Sequence, residues 1–224
     1  MAASVKIVAH GKNVTTVFVT HAHGDHFFGA PSILERFPRA KLVATPGVVA
    51  YMGAQWGPKW FDAFWDPRFP GQISGQHVVA QPLQDDTIEL EGEQLHAIEL
   101  GHTDTDGTSA LHVPSLGLVV AGDAVYGQVH MYLAESKGNA RDSWLNALDV
   151  VEELAPTAVV SGHKREGDPD SPEDIARTRR YIQDFSAAVE KANDYSDLYE
   201  AMVTLYPEHV NRGVLWNSAK GAMA

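Results

Sequence analysis

Val14-Thr-Thr-Val-Phe-Val-Thr20 runs directly into His21-Ala-His23-Gly-Asp25-His26, and the junction of these two stretches decides how the chain is read. The first is β-branched and apolar, with the turn formers Gly11 and Asn13 ahead of it, so it reads as a buried strand. The second sets four metal-competent side chains on the loop at the carboxyl end of that strand. A single histidine is more often a bystander than a ligand, because His occupies sites of intermediate burial throughout proteins. Four such groups in one short loop have few structural uses, whereas a loop can turn them toward one point and hold a metal.

Outward from the motif, Gly29-Ala-Pro-Ser-Ile-Leu-Glu-Arg-Phe37 reads as a short helix, Ala40-Lys-Leu-Val-Ala-Thr45 as a strand, and Pro46 as the start of another helix. This βαβα alternation gives way to antiparallel sheet. Residues 88–100 alternate apolar and polar about Gly92, as a hairpin does, and residues 109–113 and 117–120 add strands around Pro114. Residues 142–154 form an amphipathic helix stopped near Pro156, and Thr157-Ala-Val-Val-Ser161 is a further buried strand that delivers Gly162 and His163. Ser171-Pro-Glu-Asp174 supplies an N-cap, an N1 proline and two acids to a helix reaching about Ala192, and residues 195–205 predict a second. With no repeat, low-complexity tract or linker, one domain over residues 1–224 is expected, helical from about 171 onward.

Composition narrows the classes. At 224 residues, 44% hydrophobic and 21% charged, the chain reads as globular, and no apolar run approaches the roughly 18 to 20 residues a membrane span needs. Lys and Arg total 17 against 29 Asp and Glu, and the net charge of -12 repels a phosphate backbone, so nucleic acid is not an expected partner. Cysteine is absent, which removes disulfides, thiolate catalysis and thiolate ligands, and any metal must be held by His and carboxylate. The first residues lack the charged-then-apolar pattern of a secretory signal, so a cytoplasmic location is expected.

Three further candidates follow strand-like runs: His102 after Ile98-Glu-Leu-Gly, Asp123 after Leu118-Val-Val-Ala-Gly, and His163 after Val159-Val-Ser-Gly. Together, His-x-His-x-Asp-His, Gly-His102-Thr, Gly-Asp123 and Gly-His163 resemble the metallo-β-lactamase superfamily. The resemblance runs from about Val5 to His163 and implies an α/β (α+β) fold, an αββα sandwich with a dinuclear metal site at one edge of its two sheets. It implies that His21, His23 and His102 bind one metal, that Asp25, His26 and His163 bind the other, and that Asp123 bridges them. Imidazole and carboxylate suit zinc, and two zinc ions per chain are expected, with iron or manganese also compatible with this nitrogen and oxygen shell. Such ions, about 3.5 to 4 Å apart, can hold a bridging hydroxide as nucleophile near neutral pH.

The superfamily's antibiotic-hydrolysing members usually carry Cys or Ser where this chain has Asp123, which disfavours β-lactamase activity. An Asp bridge is instead shared by glyoxalase II-like thioesterases, lactonases and phosphodiesterase-like members. Asp123-Ala-Val-Tyr126 also resembles the lactonase pattern, in which a Tyr three residues after the Asp reaches the substrate carbonyl. The expectation is therefore hydrolysis of an ester, lactone or thioester of a small molecule, with Asp25 and Tyr126 as catalytic residues. Tyr126 reads equally well as a core or lid tyrosine. Alternatives are a metal-binding family member with weak catalysis, a mononuclear iron dioxygenase of the same fold, or a β-lactamase.

Residues 56–69 carry six aromatics, among them Trp56, Phe61 and Trp65, which either wall an apolar pocket or pack a helix pair onto the sheet. Lys164 and Arg165 either meet a substrate carboxylate or are solvated. Met131 and Tyr132 face either substrate or core. His10, His77, His96, His112 and His209 match no ligand position, and His130 is a candidate pocket residue. Family members usually carry several strands and a helix before the first histidine motif, whereas Val5-Lys-Ile-Val-Ala-His10-Gly11 reads here as the last turns of that helix. A sheet without those N-terminal strands exposes an edge, so either a homodimer or a longer parent protein is expected.

Overall fold

The computed structural model describes residues 11–224 and divides into two compact units, one ending at Thr87 and one running from Ile88 to Ala224. The helical turns expected over residues 5–10 lie outside the described residues. Among the described residues no helix is long and apolar enough to cross a membrane.

The first unit is a parallel sheet of β1 (Thr16–Phe18), β2 (Lys41–Ala44) and β3 (Gln81–Pro82), in that order. Parallel pairing demands a crossover at each step, and helices supply it: Ala30–Arg36 between β1 and β2, Pro46–Gln55 between β2 and β3. Thr45 caps the second of these from a β-region backbone, its hydroxyl accepting from the Val48 amide, with Pro46 in the first turn. The strand expected over 14–20 is regular for three residues only, although Val19 still donates its N–H to the Val43 carbonyl (3.0 Å) before the chain leaves the sheet.

The aromatic stretch packs. A π-helical segment, Pro58–Trp65, sets Phe61 and Trp65 against the buried Phe27, Phe28, Val48, Met52 and Trp56. Phe28 and Trp56 stack with ring centroids 4.0 Å apart, and His77 lies flat on Trp56 at 4.4 Å. Both indole N–H groups find acceptors, Trp56 on the Val78 carbonyl (2.8 Å) and Trp65 on Gln55 Oε1 (3.1 Å), so the rings are buried without stranding a donor.

The second unit is a five-stranded sheet ordered β4 (Thr87–Leu90), β5 (Glu93–Gly101), β6 (Thr108–Val113), β7 (Leu118–Gly127), β8 (Ala158–Lys164). β4 and β5 form the expected hairpin about Gly92, turning through Glu91 and Gly92, both at positive φ. β5, β6 and β7 are antiparallel, and β8 joins β7 in parallel after a crossover through the helix Asn139–Glu153. Helices Glu173–Val189, Tyr195–Leu205 and Arg212–Ala222 complete the unit. Its core joins Val119, Val125 and Val159 of the sheet to Trp144, Leu148, Tyr181, Ile182, Phe185, Leu198, Met202 and Leu215 of the helices, most of them fully buried.

Candidate metal centre

In the first unit, β1 ends and the chain turns through His21 into a single helical turn, Gly24–Phe27. His21 is fully buried, and its Nδ1 lies 3.1 Å from Thr20 Oγ1. The His21 ring stands 5.1 Å from that of His23 and 4.1 Å from that of His26. His21 and His23 each offer a donor atom within 4.8 Å of the other, as do Asp25 and His26. The loop thus brings together all four residues of the motif. The glycine between them is required by packing: a Cβ on Gly24 would lie 2.5 Å from the Phe28 ring and 2.8 Å from Trp65, the aromatic bed of this unit.

In the second unit, His102 follows the last residue of β5. Its Nδ1 is 2.7 Å from Asp106 Oδ1, and because a carboxylate only accepts, Nδ1–H is the donor. Its Nε2 is 3.1 Å from Ser136 Oγ, whose own proton goes to the Thr103 carbonyl at 2.6 Å. A histidine whose Nδ1–H rests on a carboxylate has the tautomer that presents Nε2 to a metal. Two residues on, Asp104 is fully buried, and its carboxylate comes within 4.8 Å of that of Asp123. The sequence reading passed over Asp104; the acids at 104 and 106 look like turn formers in a glycine-bounded loop, and their alternation after His102 was the available signal.

Asp123, expected just past a strand, lies inside β7. Register between β7 and β8 shifts twice, with Gly122 opposite Ser161 but Tyr126 opposite His163, so β7 carries extra residues where Asp123 sits. Asp123 is 2% exposed; its Oδ2 accepts from the Tyr126 hydroxyl at 2.7 Å and lies 3.4 Å from His163 Nε2. A Cβ on Gly162 would fall 1.9 Å from Asp123 Oδ1, so the carboxylate occupies the space a side chain would take. Tyr126 is itself 3% exposed, its ring stacked on that of His163 at 5.7 Å. Two buried carboxylates as close as Asp104 and Asp123 repel unless positive charge sits beside them. Together with the His102 imidazole, whose Nδ1–H rests on Asp106, and a cradle closed by Gly162, the donors of this unit fit a divalent metal.

The remaining candidates fall away from this chemistry. Lys164 is ion-paired with Asp170, and Arg165 with Asp168 at 3.1 Å. His130 is fully buried against Tyr181, its Nδ1 2.8 Å from the Tyr181 hydroxyl, while Tyr132 donates to Glu135 (3.2 Å). His96 and His112 face each other across β5 and β6.

The sequence model of the metallo-beta-lactamase superfamily matches residues 3–163, and the chain belongs to that superfamily. Solved structures agree on the fold. A metallo-beta-lactamase family protein from Thermus thermophilus is 20% identical, with a TM-score of 0.67 over 98% of this chain and 78% of that one. A beta-lactamase domain protein from Burkholderia ambifaria is 19% identical, with a TM-score of 0.67 over 97% of this chain and 70% of that one. Among curated proteins, Ribonuclease Z of Thermobifida fusca (strain YX) is 35% identical over 101 residues, 43% of this chain; the match spans 29% of that relative's length.

Proposed function

We propose that the chain is a dinuclear metal-dependent hydrolase that cleaves an ester, lactone or thioester of a small, partly apolar acyl compound. The observation that carries this reading is the buried Asp123, held by Tyr126 and Gly162 with the Asp104 carboxylate beside it. In the proposed ligand set, His21, His23 and His102 serve one metal, Asp25, His26 and His163 the other, and Asp123 both, with Asp104 as a further donor. Two divalent ions, zinc the first candidate, supply Lewis acidity toward a carbonyl and lower the pKa of water toward neutrality.

The protein's own contribution is orientation. Asp106 fixes the His102 ring through Nδ1, and donation through Nε2 requires that nitrogen to leave Ser136 Oγ. Asp25, exposed at the motif loop, can exchange protons with solvent as well as bind metal. An oxyanion role for Tyr126 requires its hydroxyl to leave Asp123. The test is a screen of purified, zinc-loaded protein against lactones, thioesters, phosphodiesters and a cephalosporin. Turnover of a lactone or thioester is expected, and none of either with both metals bound would overturn the reading. The similarity to Ribonuclease Z favours a phosphodiester as the second reading, against which the net charge of -12 weighs for any long RNA. The phosphodiester arm of the same screen separates the two.

A further inference from the structure

Residues three apart on a regular strand point to opposite faces, so Asp123 and Tyr126 could not meet on an undistorted β7. They meet because four steps along β7, Gly122 to Tyr126, are matched by two along β8, Ser161 to His163. Such an irregularity removes backbone groups from the ladder, and they need other partners. Thr178, on the helix Glu173–Val189, provides them: its Oγ1 accepts from the Tyr126 amide at 3.0 Å and donates to the Tyr126 carbonyl at 3.2 Å. The distortion is therefore held from both sides, and what it achieves is to bring one phenol against two candidate ligands on neighbouring strands. The hydroxyl donates to Asp123 Oδ2 at 2.7 Å. The ring face lies on His163, with centroids 5.7 Å apart and planes 24° apart, and its other neighbour is Trp144 at 6.1 Å.

We infer that Tyr126 is a positioning residue: it fixes the carboxylate plane of Asp123 by hydrogen bond and the imidazole of His163 by stacking, and so sets the metal affinity of the centre rather than touching substrate. The inference rests on the proposed ligand set. Three observations converge on it. At 3% exposure, the ring is sealed from any substrate in this conformation. Its proton is directed at one oxygen of Asp123, which orients the carboxylate while the other oxygen packs over bare Gly162, 1.9 Å from where a Cβ would stand. One oxygen of the carboxylate is thus held by a donor, and the other lies in space that only a glycine at 162 leaves open. Outer groups that orient ligands in this way typically govern metal affinity or activity by about 10- to 100-fold.

The experiment compares wild-type protein, Tyr126→Phe and Gly162→Ala by titration of the metal-free forms with zinc against a chromophoric chelator, with circular dichroism to follow folding. Tyr126→Phe keeps the ring and its packing and removes only the proton donor. It should fold, bind one zinc about 10- to 100-fold more weakly, and recover turnover when zinc is raised to saturation. Gly162→Ala pushes the same carboxylate from the opposite side and should weaken the same zinc. Wild-type affinity in Tyr126→Phe would overturn the inference, as would a loss of turnover that saturating zinc does not restore, since that is the signature of an oxyanion donor. A Tyr126→Phe protein that fails to fold would overturn it as well, because a positioning role leaves the metal-free fold intact. A wild-type protein that takes up no metal would instead sink the reading of the centre itself.

Discussion

Acid should unfold this protein through His130, a residue that belongs to no proposed ligand set. Its imidazole is fully buried, takes the Tyr181 hydroxyl on Nδ1 at 2.8 Å, and stands 5.6 Å from the ring of His209. Burial, with the nearby His209 and Arg212 adding to it, lowers its pKa from 6.5 to about 4. The unfolded chain binds a proton to this residue near pH 6.5, but the folded chain resists until about pH 4. Between those values the unfolded state holds more protons, so stability falls with falling pH and levels off once both states are protonated. At about 1.4 kcal/mol per tenfold change in proton affinity, the full loss is about 3 kcal/mol, a sizeable share of a domain's usual stability. Burial also lowers the pKa of His209, which acts in the same direction.

The assay is urea unfolding of metal-free protein from about pH 4 to 8 at constant ionic strength, for wild type and His130→Asn. Asparagine can still accept from Tyr181 but cannot take up a proton in this range. Titrations elsewhere, the motif histidines included, are common to both proteins and cancel in the comparison. The wild type should lose about 3 kcal/mol more than the variant on going from about pH 7 to 4, most of it below about pH 6.5. Parallel curves for the two proteins would refute the reasoning.

Elemental analysis of protein purified without chelators should give close to two metals per chain, and one iron with no zinc would contradict the dinuclear reading. Asp123→Ala or Asp123→Ser should weaken one metal and cut turnover by at least about tenfold, measured as kcat/KM at fixed zinc. Trp144→Ala removes a fully buried indole whose Nε1 donates to the Ala124 carbonyl at 2.9 Å, and should cost about 3 to 5 kcal/mol in denaturant unfolding.

How far the sequence could be read depended on how local each cause was. The motif loop was legible because four candidate ligands in six residues have few uses other than chemistry, and the hairpin at Gly92 because its turn residues and alternation lie side by side. The helix Tyr195–Leu205 was read to the residue, helped by Asp194, whose side chain caps the amides of Ser196 and Asp197. By contrast, the placement of Asp123 inside β7 depends on Thr178, which is distant in sequence, and on the bare Cα of Gly162, neither of which announces a distorted strand. His130 read as a candidate pocket residue because it follows Tyr126 closely, yet its surroundings come from Tyr181 and His209. The last helix, Arg212–Ala222, falls in the segment expected to be helical, but its bounds are not legible: Gly213, Asn217 and Gly221 are poor helix formers, and burial of Leu215, Ser218 and Ala219 overrides them.

The superfamily signature stops at residue 163, but the mechanical unit that presents Asp123 does not. Both backbone groups of Tyr126 are tied to Thr178, fifteen residues beyond that limit. A chain trimmed to the matched region would keep all seven expected ligands while releasing the strand that aims one of them. For this protein, the extent of recognisable sequence is thus a poor guide to where a truncation can be made. A deletion that reaches Thr178 should therefore weaken metal retention as well as strip the sheet of the helix that packs on it.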